Sequence, residues 1–334
     1  MADMGSEDEF DLIKRHFAPL SVGAPGALNL TDDAAILELA PGKRLVAATD
    51  ALVAGVHFLP DDPAGDIAKK LVRVNLSDLA AMGASPFAML LAAVFPKNTN
   101  DNWMTAFSTG LGEDVAEFGV PLVGGDTVAV DGIKPLLTLA LTALGHVPGD
   151  QALTRQGADV GDGIYVSGTL GDGLVGLEVA KGGWEALSGA HRDFVLRRFR
   201  LPTPRLGLGQ ALLGVANAAI DISDGLLGDL GHICECSGVG AEISAHALPL
   251  SKAIQTALRI EPGLPGRILG GGDDYELLFT APAVHNEMIR DRAEKESVQV
   301  TKIGTIVEDS GKGVVVTDLE TLGLELPRSG YRHF

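Results

Sequence analysis

The sequence predicts an α/β protein built as two domains. Two observations carry that expectation. The chain has 334 residues and is 46% hydrophobic, enough for two separate cores. Apolar runs of strand length also alternate with helix-period stretches through the second half, and Pro148-Gly149-Asp150 breaks the pattern near the middle. The expected division is residues 1–148 and residues 149–334.

Composition removes several function classes. A net charge of −18 argues against nucleic acid or an anionic membrane as partner. The longest apolar run, residues 88–95, is too short to span a bilayer. The acidic N-terminus does not read as a signal peptide. Cys234 and Cys236 stand too close for a paired zinc motif or a disulfide framework, which fits a reducing cytosol.

The elements follow in order. Ser6 to Glu9 form a capping box before a helix with Phe10, Ile13 and Phe17 on one face. Residues 34–39 and 44–49 read as a hairpin around Ala40-Pro41-Gly42-Lys43. That pairing sets Asp33 opposite Asp50. Like charges so placed either hold a cation between them or lie on frayed, solvated strand ends. His57, between Val56 and Phe58, fits an apolar turn.

Ile67, Leu71, Val74, Asp78 and Met82 fall on one stripe of a helix read at about 100° per residue. A carboxylate within an apolar stripe must be protonated, paired or bound to metal. If the helix instead ends near Asn75, Asp78 belongs to an ordinary polar turn. A strand over residues 88–95 follows, then a helix carrying Trp103, Phe107, Leu111, Val115 and Phe118 as a core stripe, closed by Gly119. Residues 121–123 read as a short strand running into Gly124-Gly125-Asp126-Thr127, where paired glycines either let the backbone approach a ligand closely or make a plain turn. A long strand is expected over residues 136–146.

In the second half a strand at 164–167 leads through a glycine-rich turn to a helix from Leu174. Such a helix N-terminus can hold phosphate, although its glycine spacing matches neither Walker A nor a dinucleotide fingerprint. Residues 202–205 form a stiff loop. A strand at 218–222 enters Ser223-Asp224-Gly225 and a helix, and Gly270 to Tyr275 opens a strand running to Thr280.

Asp32, Asp33, Asp50, Asp78, Asp126, Asp221, Asp224, Asp273 and Asp274 sit at strand ends, at glycine turns or on the stripe. If they converge, divalent cations must offset their charges. Magnesium suits hard oxygen ligands and bridges carboxylates to phosphates, which points to phosphoryl transfer.

Taken together, Asp32-Asp33-Ala34-Ala35, Thr49-Asp50 with Gly55-Val56-His57-Phe58, residues 75–84, Gly124 to Thr127, Leu153-Thr154-Arg155, Asp221 to Leu226 and Gly271 to Leu277 resemble thiamine-monophosphate kinases. The order holds from residue 9 to the closing Gly-Tyr-x-His-Phe. The resemblance implies two domains of α+β type with mixed or antiparallel sheets and packed helices. It also implies a homodimer formed mainly through the N-terminal halves and an ATP site in the interdomain cleft. The implied reaction is transfer of the ATP γ-phosphoryl group to thiamine monophosphate with several Mg2+ ions. Asp33, Thr49, Asp50, Asp78, Asp126, Asp221 and Asp224 would bind magnesium. Gly125, Asp126, Arg155 and Ser223 would contact ATP, and His57, Asp273 and Arg328 would face the thiamine substrate. Asp50, Asp78, Asp126, Arg155 and Asp224 would be the catalytic set.

Four positions depart from that pattern. Asn29-Leu30-Thr31 replaces Gly-x-Gly, so a less tight loop is expected. Ala48 replaces a hydroxyl residue, Asp273 a glutamate and Arg328 an aromatic residue. The alternatives are another ATP-dependent synthetase of the same superfamily and a non-catalytic magnesium–nucleotide sensor.

Overall fold

The structure is a computed structural model and describes residues 9–132 and 136–318. Two compact units emerge. One holds residues 1–79 and 85–150, the other residues 80–84 and 151–334.

The first unit opens with a short helix, α1 (Glu9–Leu12), which passes into a π turn over Ile13–Phe17. That change of winding separates the expected face, leaving Phe10 exposed while Phe17 is buried. The unit is built on a four-stranded sheet of β1 (Lys43–Val53), β2 (Ser85–Pro96), β3 (Leu122–Val130) and β4 (Thr138–Pro148), in the order β1-β4-β2-β3. Only β2 and β3 run parallel; the other two pairings are antiparallel. Alternation fixes the faces. Leu139, Leu141, Ala143, Gly145 and Val147 of β4 are buried, and the residues between them are half-exposed.

The expected hairpin does not form. Residues 34–39 make no strand, and β1 instead pairs with β4 over its full length, setting Asp50 against Leu141 rather than Asp33. Eleven paired positions with β4 outweigh the short local turn, which keeps only the Lys43 N–H to Ala40 carbonyl bond at 3.2 Å. Gly124 to Thr127 lie within β3, which excludes the plain-turn reading of the paired glycines.

Two long helices complete this unit. The helix α2 (Ala64–Ala81) runs through Asn75 and Asp78 as the stripe predicts. The helix α3 (Asp101–Phe118) starts with the Asn100 side chain accepting the Trp103 N–H and ends on left-handed Gly119. Phe107 of α3 meets Phe95 of β2 edge to face at 6.2 Å, which places α3 against the sheet. Arg73 of α2 grips Asp114 of α3 through two 2.8 Å bonds, with a third 2.8 Å bond to Glu117. Asp114 is fully buried, so removing one member would strand a charge at about 3–5 kcal/mol.

The second unit carries a six-stranded mixed sheet. Its strands are β5 (Gly163–Ser167), β6 (Ala218–Asp221), β7 (Gly240–Ile243), β8 (Leu277–Ala281), β9 (Val300–Val307) and β10 (Val314–Val316), in the order β10-β7-β9-β5-β8-β6. The helices α4 (Asp172–Ala180), α5 (Gly189–Arg200), α6 (Leu206–Ala211) and α7 (Leu226–Ser237) are joined to it by short loops. Ile164, Val166, Ile220, Leu230, Ile233 and Leu278 belong to its larger core, while Tyr165, Leu208, Leu212, Leu277 and Phe279 form a second one. β8, apolar except for Thr280, is buried at every position.

Candidate active site

In the first unit Asp50 is anchored from behind. Its backbone N–H donates to Asn75 Oδ1 at 2.9 Å, and Asn75 Nδ2 donates to the Leu71 carbonyl at 2.9 Å. Asn75 is fully buried, so α2 and β1 are tied at the residue expected to bind metal. Asp78 is half-buried at the edge of the stripe rather than within it; the fully buried polar residues beside it are Asn75 and Ser77. The sequence alone assigns Asn75 no role in the site.

Thr49 and Asp50 face opposite sides of β1, because neighbours in a strand alternate. The exposed Thr49 hydroxyl donates to the Leu141 carbonyl at 3.0 Å and accepts from the Thr142 hydroxyl at 3.1 Å. Across the sheet, Asp50, Leu141, Leu91 and Gly125 form one rung. Asp126 lies on the next rung with Ala92, Ala140 and Ala51, on the open face shared with Thr49. Three strand spacings, about 14 Å, therefore separate the β1 and β3 positions. Gly125 is required by packing: a Cβ there would sit 1.9 Å from the Leu91 carbonyl oxygen.

Asp33 is exposed, its N–H donating to Asp32 Oδ1 at 2.9 Å. The loop before it does not relax as expected. Leu28, Asn29 and Leu30 hold φ of 51°, 56° and 56°, so non-glycine residues keep a left-handed path that only asparagine tolerates readily.

His57 sits in a turn closed by the Gly55 N–H to Phe58 carbonyl bond at 2.8 Å. The Val53 N–H donates to its Nδ1 at 3.1 Å, so that nitrogen is the acceptor and Nε2 carries the proton. Buried Lys70 donates to the His57 carbonyl at 3.1 Å and holds the turn.

In the second unit two loops lie side by side. The Asp273 N–H donates to the Ser223 carbonyl at 2.9 Å, the Tyr275 N–H to the Ile222 carbonyl at 2.8 Å, and the Ile222 N–H to the Glu276 carbonyl at 2.9 Å. Gly272 permits the approach, since its Cβ would meet the Ser223 carbonyl at 2.0 Å. Asp221 is buried, Ser223 half-buried and Asp224 exposed. Asp229, one turn into α7, accepts the N–H groups of Asp224 at 3.3 Å and Gly225 at 3.1 Å. Burial first, then the charges of Asp221 and Asp224, push its carboxyl up to about 7. Sequence reasoning missed Asp229; an acid in the first turn of a helix behind a Ser-Asp-Gly turn was the available signal.

Asp274 corrects two expectations at once. It is 2% exposed and accepts the Gly171 N–H at 2.8 Å and the Gly173 N–H at 3.0 Å. It therefore caps α4 and is not a ligand facing solvent. The same cap fills the helix N-terminus that the glycine-rich turn offered to phosphate. Asp273 and Tyr275 take φ of 67° and 50°, strain of about 1–3 kcal/mol each that the surrounding bonds must outweigh.

Arg155 is exposed on a loop whose carbonyl accepts the Ser237 hydroxyl at 3.3 Å. Arg328 lies outside the described residues. Among the described residues no three His, Cys, Asp or Glu side chains are grouped to hold a metal ion. Magnesium is usually held by one or two carboxylates with water and substrate phosphate rather than by a protein cage. The hard oxygens of Asp50 and Asp78 in one unit, and of Asp221 and Asp224, whose charges both act on Asp229, in the other, fit that habit.

Two family models cover most of the chain: AIR synthase related protein, N-terminal domain, over residues 31–147, and its C-terminal domain over residues 159–317. A thiamine-monophosphate kinase of Escherichia coli K12 is 39% identical over 327 residues, covering 98% of each chain. The chain belongs to the thiamine-monophosphate kinase family. The crystal structure of a thiamine-monophosphate kinase from Stenotrophomonas maltophilia K279a matches with a TM-score of 0.79 at 41% identity, over 86% of this chain and 89% of that one. An AaThiL structure complexed with AMPPCP and TMP matches with a TM-score of 0.76 at 30% identity, over 98% and 97%. The thiamine-monophosphate kinase match thus spans both units.

Proposed function

We propose that this protein transfers the γ-phosphoryl group of ATP to the phosphate of thiamine monophosphate, giving thiamine diphosphate and ADP by in-line displacement. The carrying observation is the match to the Escherichia coli kinase along 98% of both chains. The acceptor phosphate has a second pKa of about 6 and is largely dianionic at neutral pH, so no general base is needed. Asp33, Thr49, Asp50, Asp78, Asp126, Asp221 and Asp224 would hold several Mg2+ ions. Bound there, the metal would offset the repulsion between the two substrates and stabilise the transferring group.

The chain's own groups complete the reading. Gly125, Asp126, Arg155 and Ser223 contact ATP, with Arg155 offering its fork of donors to phosphate oxygens. His57, Asp273 and Arg328 face the thiamine substrate, and His57 brings an Nε2 proton fixed by the Val53 bond. Asp50, Asp78, Asp126, Arg155 and Asp224 form the catalytic set.

A homodimer fits the open sheet face, where Leu45 is 55% and Val128 46% exposed between the edge strands β1 and β3. The working division is residues 1–148 for nucleotide, metal and the dimer contact, and residues 149–334 for the second α/β domain. A cytoplasmic setting accords with the free cysteines, and among the described residues no helix is long and apolar enough to cross a membrane.

The test is ADP release from purified protein with ATP, magnesium and thiamine monophosphate, with the product identified by chromatography. Equal amounts of ADP and thiamine diphosphate are expected. ATP consumption that is absent, or indifferent to thiamine monophosphate, overturns the reading.

A further inference from the structure

The segment Asp273 to Glu276 is held by a buried ionic clamp that the reaction itself does not use. Glu276 is fully buried. Arg205 meets it as a fork, Nε to Oε2 at 2.7 Å and Nη2 to Oε1 at 2.5 Å. Arg198 Nη2 adds a bond to Oε1 at 2.7 Å and a second to the Asp274 carbonyl at 3.3 Å. The Ser167 hydroxyl donates to Oε2 at 2.6 Å while accepting the Leu277 N–H at 2.8 Å. Every acceptor position of the carboxylate is thereby engaged, and two cations are spent on one anion.

The position of this clamp in the chain matters. Glu276 and Asp274 point inward, at 0% and 2% exposure, while Asp273 and Tyr275 between and before them are half-exposed and left-handed. A non-glycine residue leaves that conformation once its restraints loosen. The restraints on residue 273 include the Ser223 carbonyl on one side and, through 274 and 276, the two arginines on the other, beside the Gly171 and Gly173 bonds to Asp274 and the Ile222 carbonyl on Tyr275. Both arginines come from one stretch, the end of α5 and the stiff loop Pro202-Thr203-Pro204 that leads to Arg205.

We propose that Arg198 and Arg205 are positioning residues for thiamine monophosphate, acting through Glu276 to fix the left-handed path that presents Asp273. This rests on the kinase reading above, in which Asp273 faces that substrate. The arginines touch no substrate themselves. A bidentate guanidinium suits the task because it fixes the carboxylate's plane as well as its distance, which a lysine cannot do.

The test compares Arg205→Gln, Arg205→Lys, Asp273→Asn and the double variant Arg205→Gln/Asp273→Asn by steady-state kinetics, with backbone amide exchange at residues 273 and 275. Arg205→Gln should raise the KM for thiamine monophosphate about tenfold and leave that for ATP within about twofold. Arg205→Lys should recover part of the loss. The double variant should be no worse than Asp273→Asn alone, because both act through one side chain. The 273 and 275 amides should exchange faster in Arg205→Gln.

Additive losses, parallel rises in both KM values, or unchanged kinetics and exchange overturn the clamp. If Arg205→Gln does not fold, Arg205→Lys with the same readouts decides. A wild type inactive toward thiamine monophosphate overturns the kinase reading instead; amide exchange then still decides whether the arginines restrain the segment.

Discussion

Asn75 accepts the backbone N–H of Asp50 at 2.9 Å while its own amide donates to the Leu71 carbonyl. A buried side chain of α2 thus sets where a strand residue of the acidic group begins. Asn75→Leu removes both bonds, and the stranded N–H of Asp50 costs about 1–3 kcal/mol. The expected result is a lower Tm together with a fall in turnover greater than the fall in folded fraction. Equal losses of turnover and folded fraction would confine Asn75 to stability.

Asp78→Asn should abolish turnover and leave the fold intact, because the half-buried side chain keeps its shape and loses only charge. Circular dichroism should be unchanged while kcat/KM drops at least tenfold, equivalent to about 1.4 kcal/mol of barrier. Activity within about tenfold of wild type removes Asp78 from the metal ligands.

ATP binding should require magnesium, given a net charge of −18 and the exposed carboxylates of Asp33, Asp126 and Asp224. Isothermal titration should give measurable heat with the metal and none in excess chelator. Tight binding under chelation contradicts the assignment.

Asp274 predicts a pH dependence of stability. Burial pushes its carboxyl up to about 7, against about 3.9 in an unfolded chain. Between those values the folded state holds a proton that the unfolded state has released. The stabilisation is full below about pH 4 and is lost as pH rises through about 7. Urea unfolding from pH 5 to pH 8 should therefore show a falling stability whose slope is shallower in Asp274→Asn. The same slope in both proteins means that another group carries the proton.

Local periodicity made the helices legible. Ile67, Leu71 and Val74 announced α2, and Gly119 marked the end of α3. Partner choice was not legible. Nothing near residues 34–39 says that β1 prefers β4, because that pairing joins residues about a hundred positions apart. Gly124-Gly125 was open to both readings because glycine serves both turns and close strand contacts, and only the Leu91 carbonyl distinguishes them. Of the acidic residues, their number and their neighbours could be read in advance. That Asp274 turns inward to cap α4 could not, since its partners Gly171 and Gly173 lie about a hundred residues away.

Residues 273 to 276 alternate between presented and anchored side chains, so the segment reads in steps of two. A change of side chain at 273 alters reach without disturbing an anchor. An insertion or deletion of one residue would exchange the two sets, sending a carboxylate away from the arginines and an aromatic ring toward them. The frame of the segment is thus less tolerant of change than the identity of its two presented side chains. For library construction, randomised codons belong at those two positions, and the four-residue frame is left intact.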